Sequence, residues 1–217
     1  MKKEKYLVRK ISSWGERNYR EFIWRKENNN SFIVFVSEFL LRKTQAKSVE
    51  KFLKTFLVEF KTFNDLDKIH IDDLKIVLKQ LGLYNQRAHA LKKISKIICL
   101  RKIYKLDGET ISTFPYCGRY IANAYDCFFN KLKKPLVDNN IQRLFFRYFS
   151  LKKCVEIHKA DYLWDFSYSL LPDKNYVLFN YCLLDFAAII CKPKQPLCKN
   201  CPIALKCDYF KGGNYHV

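Results

Sequence analysis

Four cysteines crowd one short stretch near the C-terminus: Cys191, Cys198, Cys201 and Cys207, within CKPKQPLCKNCPIALKC. Six, two and five residues separate them in turn. Thiolates gathered this closely on a Pro- and Lys-rich loop can surround a metal centre, because a short chain brings all four sulfurs to one place. Zinc accepts four thiolates, but its usual pattern is two separated Cys-x-x-Cys knuckles, and here only Cys198 and Cys201 form one. A disulfide pair is the competing reading, disfavoured in a reducing compartment. Cys99, Cys117, Cys127, Cys154 and Cys182 are scattered and read as small apolar packing residues. His70, His89, His158 and His216 form no ligand spacing.

Two carboxylates stand where chemistry is possible. Glu38 interrupts the segment Phe32 to Leu41, which is apolar on nearly every side and predicts a buried helix. A charge there must be solvated, paired or employed, since burying it alone costs several kcal/mol. An i,i+4 ion pair with Arg42 would satisfy it locally. Asp138, in KKPLVDNNIQRLFFRYF, precedes an amphipathic stretch and reads as a helix N-cap. Capping alone would explain it; a carboxylate held ionised there could also stabilise a developing cation or orient a water. Residues 108–124, GETISTFPYCGRYIANA, read as helix, short turn, helix, broken by Pro115 and turned at Gly118. Backbone amides opening the second helix can hold a phosphate without reading sequence, although an ordinary helix connection looks the same.

The elements that must position these groups are helical. Val49, Phe52, Leu53, Phe56, Leu57 and Phe60 recur on one helix face, as do Ala88, Leu91, Ile94, Ile98 and Ile103. Ile141, Leu144, Phe145, Tyr148 and Phe149 form a third stripe, and residues 175–190 a fourth. The polar stretch Asn28 to Asn30 separates an N-terminal helical arm from the first core helix. Alternating strand patterns are scarce, and no repeat or Gly/Ser linker marks a boundary, so any two domains must interlock. The chain of 217 residues is 49% hydrophobic and carries a net charge of +19, with a pI near 9.5. Such a surplus implies a polyanionic partner, DNA or RNA ahead of an anionic membrane surface. MKKEKYLVRK lacks the apolar core of a secretory signal, and no apolar run approaches a membrane span. A cytoplasmic, nucleic-acid-facing protein is expected.

In order along the chain, these pieces resemble the helix-hairpin-helix DNA glycosylases of the endonuclease III superfamily, from about Phe22 to Phe210. FIWR (22–25) is similar to the family's Phe-Pro-Trp-Arg entry, SEFLLRKTQA (37–46) to its Ser-Glu helix, and LGLYNQRA (81–88) to its Gly-Leu-Tyr-Asn-x-(Lys/Arg)-Ala turn. FPYCGRYIANA (114–124) resembles the hairpin Leu-Pro-Gly-Val-Gly-x-x-Thr-Ala, and LVDNNIQRL (136–144) the Val-Asp-x-(Asn/His)-(Val/Ile)-x-Arg motif. The cysteine spacing resembles the family's [4Fe–4S] loop.

The resemblance implies an all-α fold of two interlocked helical domains. One, residues 26–133, would be a six-helix barrel containing the hairpin of about 108–124. The other, residues 1–25 and 134–217, would carry the cluster loop 191–207, with DNA bound in the cleft between them. Asp138 would support cleavage of the base–sugar bond. Tyr120 occupies the position of the Schiff-base lysine in bifunctional members, which implies a monofunctional enzyme without strand scission. The Gly-(Lys/Arg)-Tyr hairpin, Leu-Leu-Arg-(Arg/Lys)-Thr helix and Asn-Gln-Arg-Ala turn resemble the thymine-DNA glycosylases of G·T and G·U mispairs. Glu38 and Tyr120 would border the flipped base. Arg42, Leu83, Gln86, Arg87, Gly118 and Arg119 would contact DNA. Lys192, Lys194, Lys199 and Lys206 would face phosphates. The implied substrate is double-stranded DNA with a mispaired or damaged base, bound by a monomer. Adenine glycosylases share Glu38 and Asp138, but usually add a C-terminal domain, whereas this chain ends soon after Cys207. A glycosylase of oxidised pyrimidines would share the same fold, and a non-catalytic DNA-binding protein could retain the scaffold. One departure stands out: Tyr116 and Cys117 replace the first hairpin glycine and the small apolar residue after it, placing a side chain where the family's backbone usually approaches phosphate.

Overall fold

The structure is a computed structural model that describes residues 1–26 and 28–213; His216 lies outside the described residues. Among the described residues no strand forms, and the apolar stripes become helices. Helix α1 (Lys3–Asn18) comes first, followed by α2 (Ser31–Leu40), α3 (Ala46–Glu59), α4 (Phe63–Lys68), α5 (Ile71–Leu78), α6 (Tyr84–Leu100), α7 (Gly108–Ser112) and α8 (Arg119–Phe128). Helices α9 (Asn139–Phe149), α10 (Asp161–Ser169), α11 (Tyr176–Ile189) and α12 (Asp208–Lys211) complete the order. The chain divides into two compact units: Glu21–Asn130, and a discontinuous unit made of Met1–Arg20 and the chain from Lys131 onward. No helix among the described residues is long and apolar enough to cross a membrane.

In the continuous unit, Asn30 accepts a hydrogen bond from the Ile33 amide at 3.0 Å and so starts α2. Phe32, Phe35, Val36, Phe39 and Leu40 are all buried, as an all-round apolar helix requires. Each fully buried side chain of this size contributes about 1.5–3 kcal/mol. Helix α2 packs on α3 and α8, and the Tyr125 hydroxyl of α8 donates to Ser31 Oγ at 2.7 Å. Helix α6 packs on α4 and α5, and it ends at Leu100, before Ile103. A capping box of Thr62 and Asp65 starts α4, and Asp107 caps α7. Gly108 fixes the hairpin: its amide donates to Asp126 Oδ1 at 2.8 Å, and a Cβ there would meet Asp126 Oδ2 at 2.5 Å. Only glycine lets α7 lie this close to α8.

In the discontinuous unit, α11 is the central helix, packed by α1 and α9. Leu7 and Ile11 of α1 are fully buried, and Trp14 meets Phe186 edge-on with centroids 5.2 Å apart. Arg20 grips the buried Asp185 through Nε at 2.8 Å and Nη2 at 2.6 Å, joining the two chain segments. Helix α10 is anchored by Trp164, whose indole N–H donates to the Ile157 carbonyl at 2.8 Å.

Candidate functional site

Asp138 stands at the N-cap of α9 with an extended backbone, as its sequence position predicts. Its Oδ1 accepts the Ile141 amide at 2.7 Å, and its Oδ2 accepts the Asn140 side-chain amide at 2.9 Å. Burial pushes the carboxyl above the usual range; those hydrogen bonds and the charge of Arg143 pull the other way without cancelling it. A carboxylate that is costly to ionise, yet held in place, gains most when positive charge develops beside it in a low-dielectric setting.

The same helix grips the cysteine loop. Arg143 Nη1 donates to Asn140 Oδ1 at 3.0 Å, while Nε and Nη2 reach the carbonyls of Cys191 and Ala187, both at 2.8 Å. Carboxylate, carboxamide, guanidinium and loop carbonyl thus form one continuous relay. A turn later, Arg147 Nη1 donates to the Lys192 carbonyl at 2.6 Å and approaches Cys191 Sγ at 3.6 Å. Its Nη2 reaches the Pro193 carbonyl at 3.0 Å.

All four loop cysteines line one cavity, together with Arg147 and the apolar Leu144, Phe186, Ile190 and Ile203. Among the described residues, no three His, Cys, Asp or Glu side chains are grouped as a single metal ion requires. Burial raises the thiols of Cys198, Cys201 and Cys207, Cys201 to about 12, and the neighbouring cysteines add to the effect. Sulfurs in such a pocket become thiolates only against a cation. The donor set, an apolar wall and carbonyls pinned by arginine therefore fit a thiolate-bound metal group. Lys194 and Lys199 are exposed, whereas Lys206 is half-buried. Its ammonium donates to the Met1 carbonyl at 2.6 Å and lies over the Tyr6 ring, because the chain's start passes beside the loop.

The other sequence-selected residues lie in the continuous unit. Glu38 is buried on α2, and Tyr120 is half-buried in the first turn of α8, so they stand on two helices that pack together. Gly118 caps α8 and has open space where a side chain would be; Arg119 follows it. Arg42, Leu83, Gln86 and Arg87 line one cavity with Phe39, Lys43 and Tyr116. Arg42 lies over the rings of Phe39 and Tyr116, at 5.7 and 5.6 Å from their centroids.

Arg87 departs from the expected DNA contact. It is 4% exposed, and its guanidinium donates to the carbonyls of Leu81, Gly82, Leu40 and Arg42 and to Thr44 Oγ1. Those bonds consume its fork, so it shapes the two loops that carry Arg42 and Leu83. Sequence reasoning also passes over Asn140, Arg143 and Arg147 as the link from Asp138 to the cysteine loop. The signal is present in the motif itself: Asn140 and Arg143 follow the aspartate at two and five positions.

Residues 36–164 match the HhH-GPD superfamily of base excision DNA repair proteins. The chain is 32% identical over 214 residues to a thymine/uracil-DNA glycosylase of Methanothermobacter thermautotrophicus, covering 97% of this chain and 96% of the relative. It is 29% identical over 213 residues to an adenine DNA glycosylase of Buchnera aphidicola subsp. Schizaphis graminum, of which it covers 60%, against 94% of this chain. A solved thermostable thymine-DNA glycosylase superposes with a TM-score of 0.86 at 29% identity over 97% of both chains. Endonuclease III in a non-covalent DNA complex superposes with a TM-score of 0.84 at 18% identity over all of both chains, a likeness of fold alone. The family match runs unbroken through Glu38, the hairpin and Asp138, and the chain belongs to the HhH-GPD superfamily of base excision DNA repair proteins.

Proposed function

We propose that this protein is a monofunctional DNA glycosylase that removes thymine or uracil mispaired with guanine and leaves an abasic site. The observation that carries the reading is Asp138, fixed at the start of α9 by the Ile141 amide and the Asn140 side chain. The names of the thymine/uracil-DNA glycosylase relative and of the thermostable thymine-DNA glycosylase neighbour support the choice of base. Extruding a mispaired base costs less than extruding a paired one, which itself favours such substrates. The base leaves with the electron pair of the bond to the sugar, and the sugar becomes an oxocarbenium-like cation. The ionised Asp138 stabilises that cation and helps water add to it, as carboxylates do in glycoside hydrolysis. Glu38 and Tyr120 border the base. A phenol in place of an amine forms no imine with the sugar, so the strand stays intact.

The four cysteines would hold a [4Fe–4S] cluster, a structural staple that ties the loop to α9. Iron and acid-labile sulfide in equal amounts in the purified protein would support this; stoichiometric zinc would overturn it. The net charge of +19 suits a DNA partner. If about six phosphates are neutralised, affinity falls roughly a thousandfold between 50 and 200 mM salt.

The test is incubation with duplexes holding one G·T, G·U, A·8-oxoguanine or oxidised-pyrimidine site, with and without hot alkali. Cleavage at T or U only after alkali is expected. Alkali-dependent cleavage at adenine would favour the second reading, for which the Buchnera adenine glycosylase match is the specific observation. Scission without alkali would overturn the role given to Tyr120, and inertness of both the wild type and Asp138→Asn would leave a DNA-binding protein.

A further inference from the structure

Three positions around the Arg42 cavity adopt left-handed backbone conformations: Lys43 (φ 54°), Leu83 (φ 49°) and Tyr116 (φ 62°). Left-handed geometry is disfavoured for any residue with a Cβ, and most of all for large ones. Such strain usually persists where the surrounding structure enforces it, and it concentrates at ligand clamps. Here Arg87 braces two of the three loops through the carbonyls of Leu81, Gly82 and Arg42. Burial does not repay the strain, since Leu83 and Tyr116 are each 49% exposed. Glycine at position 116 would relieve the backbone at little cost in packing. The tyrosine ring instead lies 5.6 Å from the Arg42 guanidinium, which is also 5.7 Å from the Phe39 ring.

We propose that Tyr116 stacks on the nucleobase left without a partner when the target base is extruded. The proposal rests on the base-extruding part of the glycosylase reading, because only an extruding protein creates such a base. An exposed aromatic ring offers a π-face that any base can stack on. The hairpin thus presents a side chain where a glycine would present backbone to a phosphate.

The experiment compares wild type, Tyr116→Phe and Tyr116→Gly on a duplex with a tetrahydrofuran abasic analogue opposite guanine, and on the fully paired duplex. Titrations at several salt concentrations and thermal melts accompany it. Tyr116→Gly should melt higher and bind the abasic duplex more weakly by on the order of tenfold. Its affinity for paired DNA and its salt slope should be unchanged, and Tyr116→Phe should match wild type. A 2-aminopurine placed opposite the analogue should be quenched by wild type and Tyr116→Phe, and not by Tyr116→Gly.

Unchanged abasic affinity in Tyr116→Gly would overturn the proposal. Equal loss on both duplexes with a shallower salt slope would make Tyr116 a phosphate contact, and a lower melting temperature would make it a packing residue; both outcomes reject stacking. Wild type that binds the abasic duplex with these signatures, yet releases no base from any mispair, would break the enzymatic reading and leave this one standing.

Discussion

At the start of α9, each oxygen of Asp138 accepts a hydrogen bond, and Arg143 spends three donors on Asn140, Cys191 and Ala187. Around Arg42, by contrast, three backbone positions are left-handed and two large apolar side chains stay half exposed. One region places a single carboxylate by giving its neighbours internal partners. The other keeps its best contacts available for something outside the unit. The contrast separates fixing a charge from presenting a surface, and it makes opposite forecasts for stability and function in the two places.

The largest effect should come from Asp138→Asn. Asparagine caps helices as well as aspartate, so α9 should persist while base release falls by about 10²–10⁴-fold. The variant should also melt higher at neutral pH. Below the ordinary value of 3.8 the carboxyl is neutral whether folded or unfolded, and the two proteins should differ little. As pH rises from 3.8 towards the higher folded value, the unfolded chain ionises first, and wild type loses stability that the variant keeps. Melting curves across that window check the sign, and equal melting at all pH values would mean that burial does not govern this carboxyl.

If the four cysteines hold a metal group, Cys201→Ala should cost several kcal/mol and strike the two units unequally. Hydrogen exchange should accelerate first in α9, α11 and α12, with α2, α3 and α6 still protected. Uniform loss of protection would erase the distinction between the units. Arg143→Ala should follow, at about 2–3 kcal/mol, because it leaves the Cys191 and Ala187 carbonyls without their charged donor. Base release should drop more than duplex affinity, and Arg143→Lys should not restore it, since one ammonium cannot reproduce the fork.

On the rim the sign reverses. Leu83→Gly should raise stability by about 1 kcal/mol, by relieving a left-handed residue, while weakening binding to mispaired DNA. A loss of stability there would show that the rim is packed like a core. The smallest effect belongs to Lys194→Ala: unchanged melting, slightly weaker binding to every duplex, and a salt slope lower by about one.

Much of this is legible along the chain. The stripes through Val49, Phe52, Leu53 and Phe56 and through Ile141, Leu144 and Phe145 become buried faces of α3 and α9. Asp138 is readable as a cap because capping is settled within four residues. Arg87 is expected from the resemblance to contact DNA, because nothing local announces that the carbonyls of Leu40 and Arg42, more than forty residues earlier, will enclose it. The Lys206 bond to the carbonyl of Met1 is likewise invisible along the chain, since its acceptor lies 205 residues earlier.

The sequence by itself determined the helices, the cap at Asp138 and the gathering of four thiols, because periodicity, capping and short loops are governed by neighbours in the chain. Tertiary structure decided which polar groups became internal braces and which stayed available. It also decided the left-handed backbone at Leu83 and Tyr116 and the reach of Arg143 to a carbonyl 48 residues away. Those outcomes depend on how helices pack and loops close, where long-range acceptors meet their donors and backbone strain is held in place by the surrounding fold.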